Sequence, residues 1–378
     1  MGEGQWRYGI VGGGLAGWAL AWSLVEAQGV AADEVVVIDE GRRERGSSAP
    51  ATMVHAFPGR KMSCRGGQCE HFVESWAQLE AWEQALGEGW WCQRPMVRLL
   101  DDSDRKQALL QSFQEGKPDY PELLRVEKLD AGVVEERFEG VRWEGEALVY
   151  GPAAVVIIPE LVERVAASLV ERGVQQIEGR AVGVGRGEGL TIQIKGEQAL
   201  DCREVILAVG MGMVDWFPGL DLRQRAGEVM VAEVPGASLE PLVSAGKRVF
   251  VRPDGRWGVG STYFDMAQWD ERDDEAVVDA LIGGVQETVP AIRDARDIEV
   301  WRGVRSVFGS DHKPLVGPVA NAPGVYVFGA FGSKGLLWIP AAARRMAWAL
   351  ATGEQSAIGA AMRSGRMSED KWRCPLID

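Results

Sequence analysis

The sequence predicts an α/β protein with a Rossmann-like dinucleotide-binding domain and an interleaved, mostly antiparallel β domain. The N-terminus reads as a strand, a glycine-rich turn, a helix and a second strand. Residues 204–210 form an apolar run that ends in glycine, which is typical of a buried parallel strand at a ligand-binding edge. Short alternating segments separated by turn residues fill much of residues 86–150 and 216–299. A chain of 378 residues is long enough for about two domains of roughly 150 residues each.

The N-terminal unit has the spacing of a dinucleotide-binding motif. A β-prone run leads into the sequence GGGLAG, followed by a helical pattern and an apolar strand that ends in an acid. Gly12 permits the tight turn, Gly14 lets the backbone approach a pyrophosphate, and Gly17 lets the helix pack closely on the sheet. Asp39 lies 22 residues after Gly17 (39 − 17), where its carboxylate can accept a hydrogen bond from a ribose hydroxyl. By itself this motif fits either FAD or NAD.

The rest of the chain alternates between helical and strand patterns. Apolar spacing predicts helices over 75–86, 159–172, 276–289 and 336–352. Strands are expected at 96–100, 147–150, 181–184, 190–195 and 229–234, in two halves of 248–262, and at 324–332 before a second glycine turn. We therefore expect the dinucleotide-binding domain to comprise residues 1–85, 151–215 and 300–378. Residues 86–150 and 216–299 would form the second domain.

Charge and cysteine content narrow the possible partners and location. The net charge of −14 argues against a surface that binds DNA or RNA, so we expect no nucleic-acid partner. No signal-peptide pattern or bilayer-length apolar stretch occurs, so we expect no membrane association. The five cysteines are scattered and odd in number, which favours free thiols in a reducing compartment. These features predict a cytoplasmic protein.

The order of these segments resembles the superfamily of D-amino-acid oxidase and glycine/sarcosine oxidase over nearly the whole chain. The sequences GIVGGGLAG and VVVIDE resemble its FAD fingerprint, and residues 251–255 with 260–262 resemble its substrate-domain hairpin. The most specific similarity is C-terminal: Gly303-Val304-Arg305, then Asp311, PLVG at 314–317 and GAFGSKG at 329–335. This ending favours FAD over NAD. Ser306, where the family commonly has proline, and the sequence AFPGRK at 56–61 depart from the family pattern.

The resemblance implies a glutathione-reductase-type FAD-binding domain and a substrate domain inserted into it. The positions that match the family's cofactor site are Gly12, Gly14, Leu15, Ala16, Gly17, Asp39, Glu40, Val182, Gly210, Gly332, Ser333, Lys334, Gly335 and Leu336. No cysteine falls in the C-terminal flavin turn, so we expect FAD to be bound non-covalently.

Three residues are candidates for chemistry. Arg305 matches the arginine that binds the substrate carboxylate in glycine oxidases, although it could instead pair with a structural carboxylate. Lys334 precedes a helix in a glycine turn, where its charge could stabilise the anionic reduced flavin or simply face solvent. His55 lies in the segment expected near the flavin ring, as a base, a polar contact or a packed side chain.

A further cluster, Cys64, Cys69 and His71, has C-x4-C-x-H spacing, which could indicate a metal site or a redox dithiol. No fourth ligand is apparent, and the flavin disulfide reductases with such a dithiol also need a second glycine motif. We therefore predict no metal.

The predicted activity is oxidation of the C–N bond of an amine or amino acid by hydride transfer to flavin N5, with oxygen or another acceptor taking the electrons. The chain could form a homo-oligomer. Two alternatives remain. One is a flavin-binding partner or assembly subunit without this activity. The other is a tRNA-modifying oxidase, since FGSKGL resembles the oxidase half of the enzymes that complete the wobble uridine.

Overall fold

The chain folds into two compact units, each assembled from separate stretches of sequence. The first unit comprises Met1–Ser48, Glu160–Arg225 and Val304–Asp378, and the second comprises Ala49–Pro159 and Ala226–Gly303. The computed structural model describes residues 6–41, 45–59, 62, 67–101, 104–187, 189–196, 199–266, 273–309, 311–360, 362–366, 369–372 and 374.

Strands and helices alternate along the described chain. The strands are β1 Trp6–Val11, β2 Val35–Asp39, β3 Thr52–His55, β4 Trp91–Gln93, β5 Met96–Leu99, β6 Arg125–Leu129, β7 Ala147–Gly151, β8 Ala153–Val156, β9 Gln175–Glu178, β10 Ala181–Arg186, β11 Leu190–Ile194, β12 Leu200–Leu207, β13 Leu222–Glu233, β14 Leu242–Ala245, β15 Lys247–Val251, β16 Trp257–Gly260, β17 Phe264–Asp265, β18 Arg296–Phe308, β19 Leu315–Pro318 and β20 Val325–Gly329. The α-helices are α1 Leu15–Trp22, α2 Gln68–Leu86, α3 Asp104–Gly116, α4 Val133–Arg137, α5 Ile158–Glu171, α6 Met213–Trp216, α7 Asp274–Gly283 and α8 Gly335–Thr352.

The first unit is built on a sheet whose centre is parallel. β1 pairs in parallel with β2 and with β12, β2 continues to β9, and β12 also pairs in parallel with β20. The strands β10, β11 and β19 join this sheet antiparallel. Helices α1 and α8 pack against each other. The central strands are buried because their residues are almost all apolar, as a parallel sheet covered by helices requires.

The second unit is built on a larger sheet, ordered β17-β13-β16-β15-β14-β5-β7-β6, with β18 pairing with β13. The strands β13-β16-β15-β14 pair antiparallel with one another, as do β5-β7-β6, whereas β14 pairs in parallel with β5. One face of this sheet packs its apolar residues into a core with α7. A separate three-stranded sheet has the order β3-β8-β4.

The predicted fold class is confirmed, and most predicted elements lie within a few residues of the observed ones. The α2 helix begins seven residues before its predicted start (75 − 68), and α3 was not predicted. The predicted helix 276–289 ends as α7 at Gly283, where a second glycine follows. Residues 49–85 were grouped with the first unit by sequence, yet they belong to the second. The reason is strand pairing: β3 pairs with β8, about a hundred residues later, which local patterns do not reveal.

Candidate functional site

The N-terminal glycine turn joins β1 to α1 with almost no free space. The Gly12 N–H donates to the Ile38 carbonyl at 2.7 Å. A Cβ added at Gly12 would lie 2.3 Å from the Ala208 carbonyl oxygen, and one added at Gly17 would lie 1.9 Å from the Gly12 carbonyl oxygen. Only glycine fits at these two positions, so the turn brings bare backbone to the carboxyl ends of β1, β2 and β12.

The acidic end of β2 lies beside this turn. A Cβ added at Gly13 would be 2.8 Å from the Asp39 Cβ. The Asp39 carboxylate forms an ion pair with Arg45. Glu40, the next residue, lies 3.8 Å from Arg180, measured between the carboxylate and Nε. Of the two predicted acids, Asp39 is therefore the one placed against the glycine turn.

A loop after β2 contributes residues that the sequence analysis missed. The Leu15 N–H, in the first turn of α1, donates to the Ser47 hydroxyl at 2.9 Å. A Cβ added at Gly14 would also lie 2.9 Å from that oxygen. Arg45, in the same loop, forms a parallel bridge with Val304 of β18. The loop thus links the glycine turn to the strand that carries Arg305. A serine pair after an acid was the only available signal, and it is too common to predict such contacts.

The second glycine turn lies against the same strand. Phe331 forms an antiparallel bridge with Val307, and Gly332 has a φ of +58°. A Cβ added at Gly332 would lie 3.1 Å from Val307 Cγ2. The Lys334 N–H donates to the Phe331 carbonyl at 3.2 Å, and α8 begins at Gly335. β18 therefore carries the loop contact at Val304 and the turn contact at Val307, with Arg305 between them.

The two predicted cationic residues of this edge are both half-buried. Burial lowers the pKa of Lys334 below its usual value. Among the residues that the structure describes, no carboxylate is paired with Lys334. Ser306, next to Arg305, is buried, and its hydroxyl has no hydrogen-bond partner within the described part of the chain. The edge thus holds partly desolvated polar groups, as a ligand site does.

The other predicted cofactor positions contribute in different ways. Ala16 lies in the first turn of α1, and Leu336 is buried in α8, so its side chain belongs to the core. Ser333 is exposed in the second glycine turn. Gly210, with a φ of +53°, lies three residues beyond the end of β12. Val182 lies on β10 with 37% of its side chain exposed.

His55 belongs to the second unit and has a buried environment of its own. It ends β3, and its Nδ1 is 3.3 Å from the Tyr150 hydroxyl. Burial, reinforced by the positive charges of Arg98 and Arg248, lowers the pKa of His55 well below its usual value. The imidazole is therefore neutral near pH 7, with one ring nitrogen as a hydrogen-bond donor and the other as an acceptor.

The first unit fits a bound dinucleotide. The glycines permit the tight, closely packed turn, α1 begins there with its N–H groups at the carboxyl ends of parallel strands, and Asp39 lies beside the turn. Residues of the two glycine turns and Asp39 would hold FAD, and the bound flavin would supply the two-electron acceptor.

The cysteines require one correction. Cys92, Cys202 and Cys374 are free, as predicted, but Cys69 is disulfide-bonded rather than a free thiol. Cys64 lies outside the described residues. His71 is buried in the first turns of α2, and its Nδ1 is 2.6 Å from the Gly67 carbonyl oxygen. No group of potential metal ligands occurs among the described residues. Within the same residues, no helix has the length and apolar character needed to cross a bilayer.

Comparisons with known proteins agree with this geometry. The family model described as FAD dependent oxidoreductase (DAO) matches residues 7–349. A curated relative, the tRNA 5-methylaminomethyl-2-thiouridine biosynthesis bifunctional protein MnmC of Caulobacter sp. (strain K31), is 26% identical over 345 residues. The match covers 90% of this chain but 54% of that protein, so the chain spans about half the length of this relative.

Several solved structures have the same fold. Iminodiacetate oxidase from Chelativorans sp. BNC1 has a TM-score of 0.77 at 20% identity, covering 92% of this chain and 96% of its own. Glycine oxidase from Geobacillus kaustophilus has the same score and identity, covering 92% and 95%. L-α-glycerophosphate oxidase from Mycoplasma pneumoniae, solved with FAD bound, has a TM-score of 0.74 at 18% identity, covering 91% and 94%.

Proposed function

Because the chain belongs to the DAO family of FAD-dependent oxidoreductases, we propose that it oxidises the C–N bond of an amine or amino acid by hydride transfer to flavin N5. FAD is its cofactor. The observation that carries the proposal is the edge of the first unit, where β18 connects both glycine turns around Arg305. Glycine oxidase and iminodiacetate oxidase, which share the fold, support C–N oxidation as the reaction class.

In this proposal, Arg305 binds the substrate carboxylate and Lys334 stabilises negative charge on the reduced cofactor. A guanidinium suits the first role because it can donate two parallel hydrogen bonds to one carboxylate. A half-buried ammonium suits the second because its charge is less screened than that of a surface lysine. Neutral His55 is proposed as a polar contact or base for the substrate amine.

The same proposal covers cofactor attachment, electron acceptor and location. We propose that FAD is held non-covalently, because the predicted flavin turn contains no cysteine. Oxygen or another acceptor would reoxidise the flavin, and the chain could act as a homo-oligomer. We propose a cytoplasmic location, which the three free thiols among the described residues support and the disulfide at Cys69 does not.

Absorption spectroscopy of the purified protein tests the proposal. We expect flavin bands that move to the supernatant after acid precipitation and that bleach anaerobically with an amine or amino acid. Arg305→Met and Lys334→Met should slow this bleaching at least about tenfold, the loss of one charged hydrogen bond. Arg344→Met is the control, because Arg344 is exposed on α8. Unchanged bleaching in both variants would contradict these roles, and a flavin that no amine reduces would favour the assembly-subunit alternative.

A tRNA-modifying oxidase is the second candidate, because the curated relative is a bifunctional tRNA-modification protein. A tRNA substrate would require local basic surface on a chain whose net charge is −14. Binding of unmodified tRNA, measured by fluorescence anisotropy at two salt concentrations, distinguishes the candidates. Salt-sensitive binding with a submicromolar Kd would favour tRNA oxidation, and no binding would favour a small substrate.

A further inference from the structure

The large sheet of the second unit has two chemically different faces. The face towards α7 is apolar, with Val97, Val243 and Val249 in its core. Because side chains alternate along a strand, the neighbouring residues point to the other face. There Arg98 on β5 is in register with Ser244 on β14, which is in register with Arg248 on β15. A row of two guanidiniums and one hydroxyl therefore crosses three adjacent strands on one face.

Both arginines of this row are shielded from water, Arg98 almost completely and Arg248 in part. Arg98 is 7% exposed, and its guanidinium donates to the Phe57 carbonyl at 2.7 Å and to Met62 Sδ at 3.6 Å. Arg248 is half-buried. Burial, together with the charge of Arg98, lowers the pKa of Arg248 below its usual value, while Tyr150 opposes the shift. Within the described residues neither guanidinium is paired with a carboxylate.

Two such charges on one buried face are unfavourable without an anion. Buried charges in proteins are paired, hydrogen-bonded or ligand-bound, because desolvation of an unpaired ion is costly. Carbonyl and thioether acceptors hold Arg98 in place, but no described contact neutralises it or Arg248. Arg248 is in register with Gly260 on β16, so no side chain from that position lies against its guanidinium.

We propose that Arg248, supported by Arg98 and Ser244, binds a carboxylate of the substrate. Adjacent strands lie about 4.8 Å apart, so the two arginines flank a gap of about 9.6 Å between their Cα atoms. A carboxylate at Arg248 can take two parallel N–H donors and approach the Ser244 hydroxyl. The inference rests on the proposed function in one respect: an amino-acid substrate already carries one carboxylate beside its amine, and a further carboxylate bound at Arg248 makes it an amine with two carboxylates.

The test compares ligands that differ by one carboxylate. Iminodiacetate differs from N-methylglycine in this way, and glutarate from butyrate, and all four are achiral. Calorimetric titration of the anaerobic holoenzyme should show each dicarboxylate binding at least about tenfold more tightly than its monocarboxylate counterpart. Absorbance of the same anaerobic mixtures reports flavin bleaching separately for the two amines, iminodiacetate and N-methylglycine, whereas glutarate and butyrate have no C–N bond and report binding alone. A dicarboxylate preference without bleaching by any amine would overturn the oxidation and leave the carboxylate site intact.

Variants test whether Arg248 causes the preference for dicarboxylates over monocarboxylates. Arg248→Met should abolish it, and Arg248→Lys should retain part of it, because lysine keeps the charge but not the paired donors. Lys247→Met is the matched control: it removes a neighbouring cation whose stem contacts α7's end on the opposite face. Ser244→Ala gives a second measurement that leaves both charges in place and should weaken dicarboxylate binding modestly. Equal affinity for mono- and dicarboxylates in the wild type, or an unchanged preference in Arg248→Met, would overturn the proposal.

Discussion

At the scale of single residues, the environment of His55 makes stability depend on pH. Burial and the charges of Arg98 and Arg248 lower its pKa in the folded protein, while the unfolded chain has the ordinary value of about 6.5. Below that pH the unfolded state binds a proton that the folded state does not, so the free energy of unfolding falls as the pH falls. The loss approaches about 1.4 kcal/mol per pH unit until the folded pKa is reached.

Urea unfolding at pH 7.5 and 5.5 measures this dependence. The wild type should lose about 1.4 kcal/mol more than His55→Gln between the two pH values, since glutamine cannot take up the proton. His312→Asn is the control, because His312 is exposed in a loop with positive φ, which asparagine tolerates. Equal losses in wild type and His55→Gln would show that His55 is solvated rather than buried beside the two arginines.

At the residue level, sequence spacing could predict the position of local features but not of distant ones. The glycines of the first turn and Asp39 lie together as predicted, because spacing along 30 residues defines them, and their contact with the cofactor stays a prediction. Ser47 could not, since its contact with Leu15 spans 32 positions and a serine has no distinctive pattern. Arg98 and Arg248 were also missed: their register depends on the parallel pairing of β14 with β5, which are distant in sequence.

At the scale of elements, the β1–α1 turn depends on the absence of one methyl group. A Cβ at Gly17 would lie 1.9 Å from the Gly12 carbonyl oxygen, and it would also touch Ile10. Gly17→Ala must therefore move α1 away from β1, at a cost of about 1–3 kcal/mol for overpacking. Because the same movement displaces the backbone that would hold the pyrophosphate, the variant should purify without flavin and melt at a lower temperature.

A matched glycine separates backbone crowding from a general effect of alanine. Gly283, at the end of α7, has no heavy atom within 4 Å of an added Cβ. Gly283→Ala should keep its flavin and be as stable as the wild type or slightly more so, because alanine favours helix. Retention of flavin by Gly17→Ala at wild-type levels would contradict the packing described for this turn.

At the scale of the whole molecule, the outcome of sequence prediction reflects how each unit is assembled. The strand–turn–helix order of the first unit follows from apolar runs and glycine turns, so its parallel centre was predictable. The boundaries were harder to predict, since the second unit takes residues 49–159 from between two parts of the first. The strands β3 and β8, which hold the two ends of this segment together, are short and lie about a hundred residues apart in the sequence.

The division into two units predicts which part of the chain bound FAD stabilises. If the first unit holds the dinucleotide, adding FAD to the apoprotein stabilises that unit by mass action, about 2.7 kcal/mol at a hundredfold excess over Kd. Amide exchange in peptides covering 6–41 should slow up to about a hundredfold, because those amides open only in the unbound state. Peptides covering 273–295, in the core beneath the large sheet, should change far less. Hydrogen exchange followed by mass spectrometry makes the comparison within one sample. Equal protection of both sets of peptides would mean that the two units open together. Protection confined to 273–295 would contradict the prediction, because it would place FAD on the second unit.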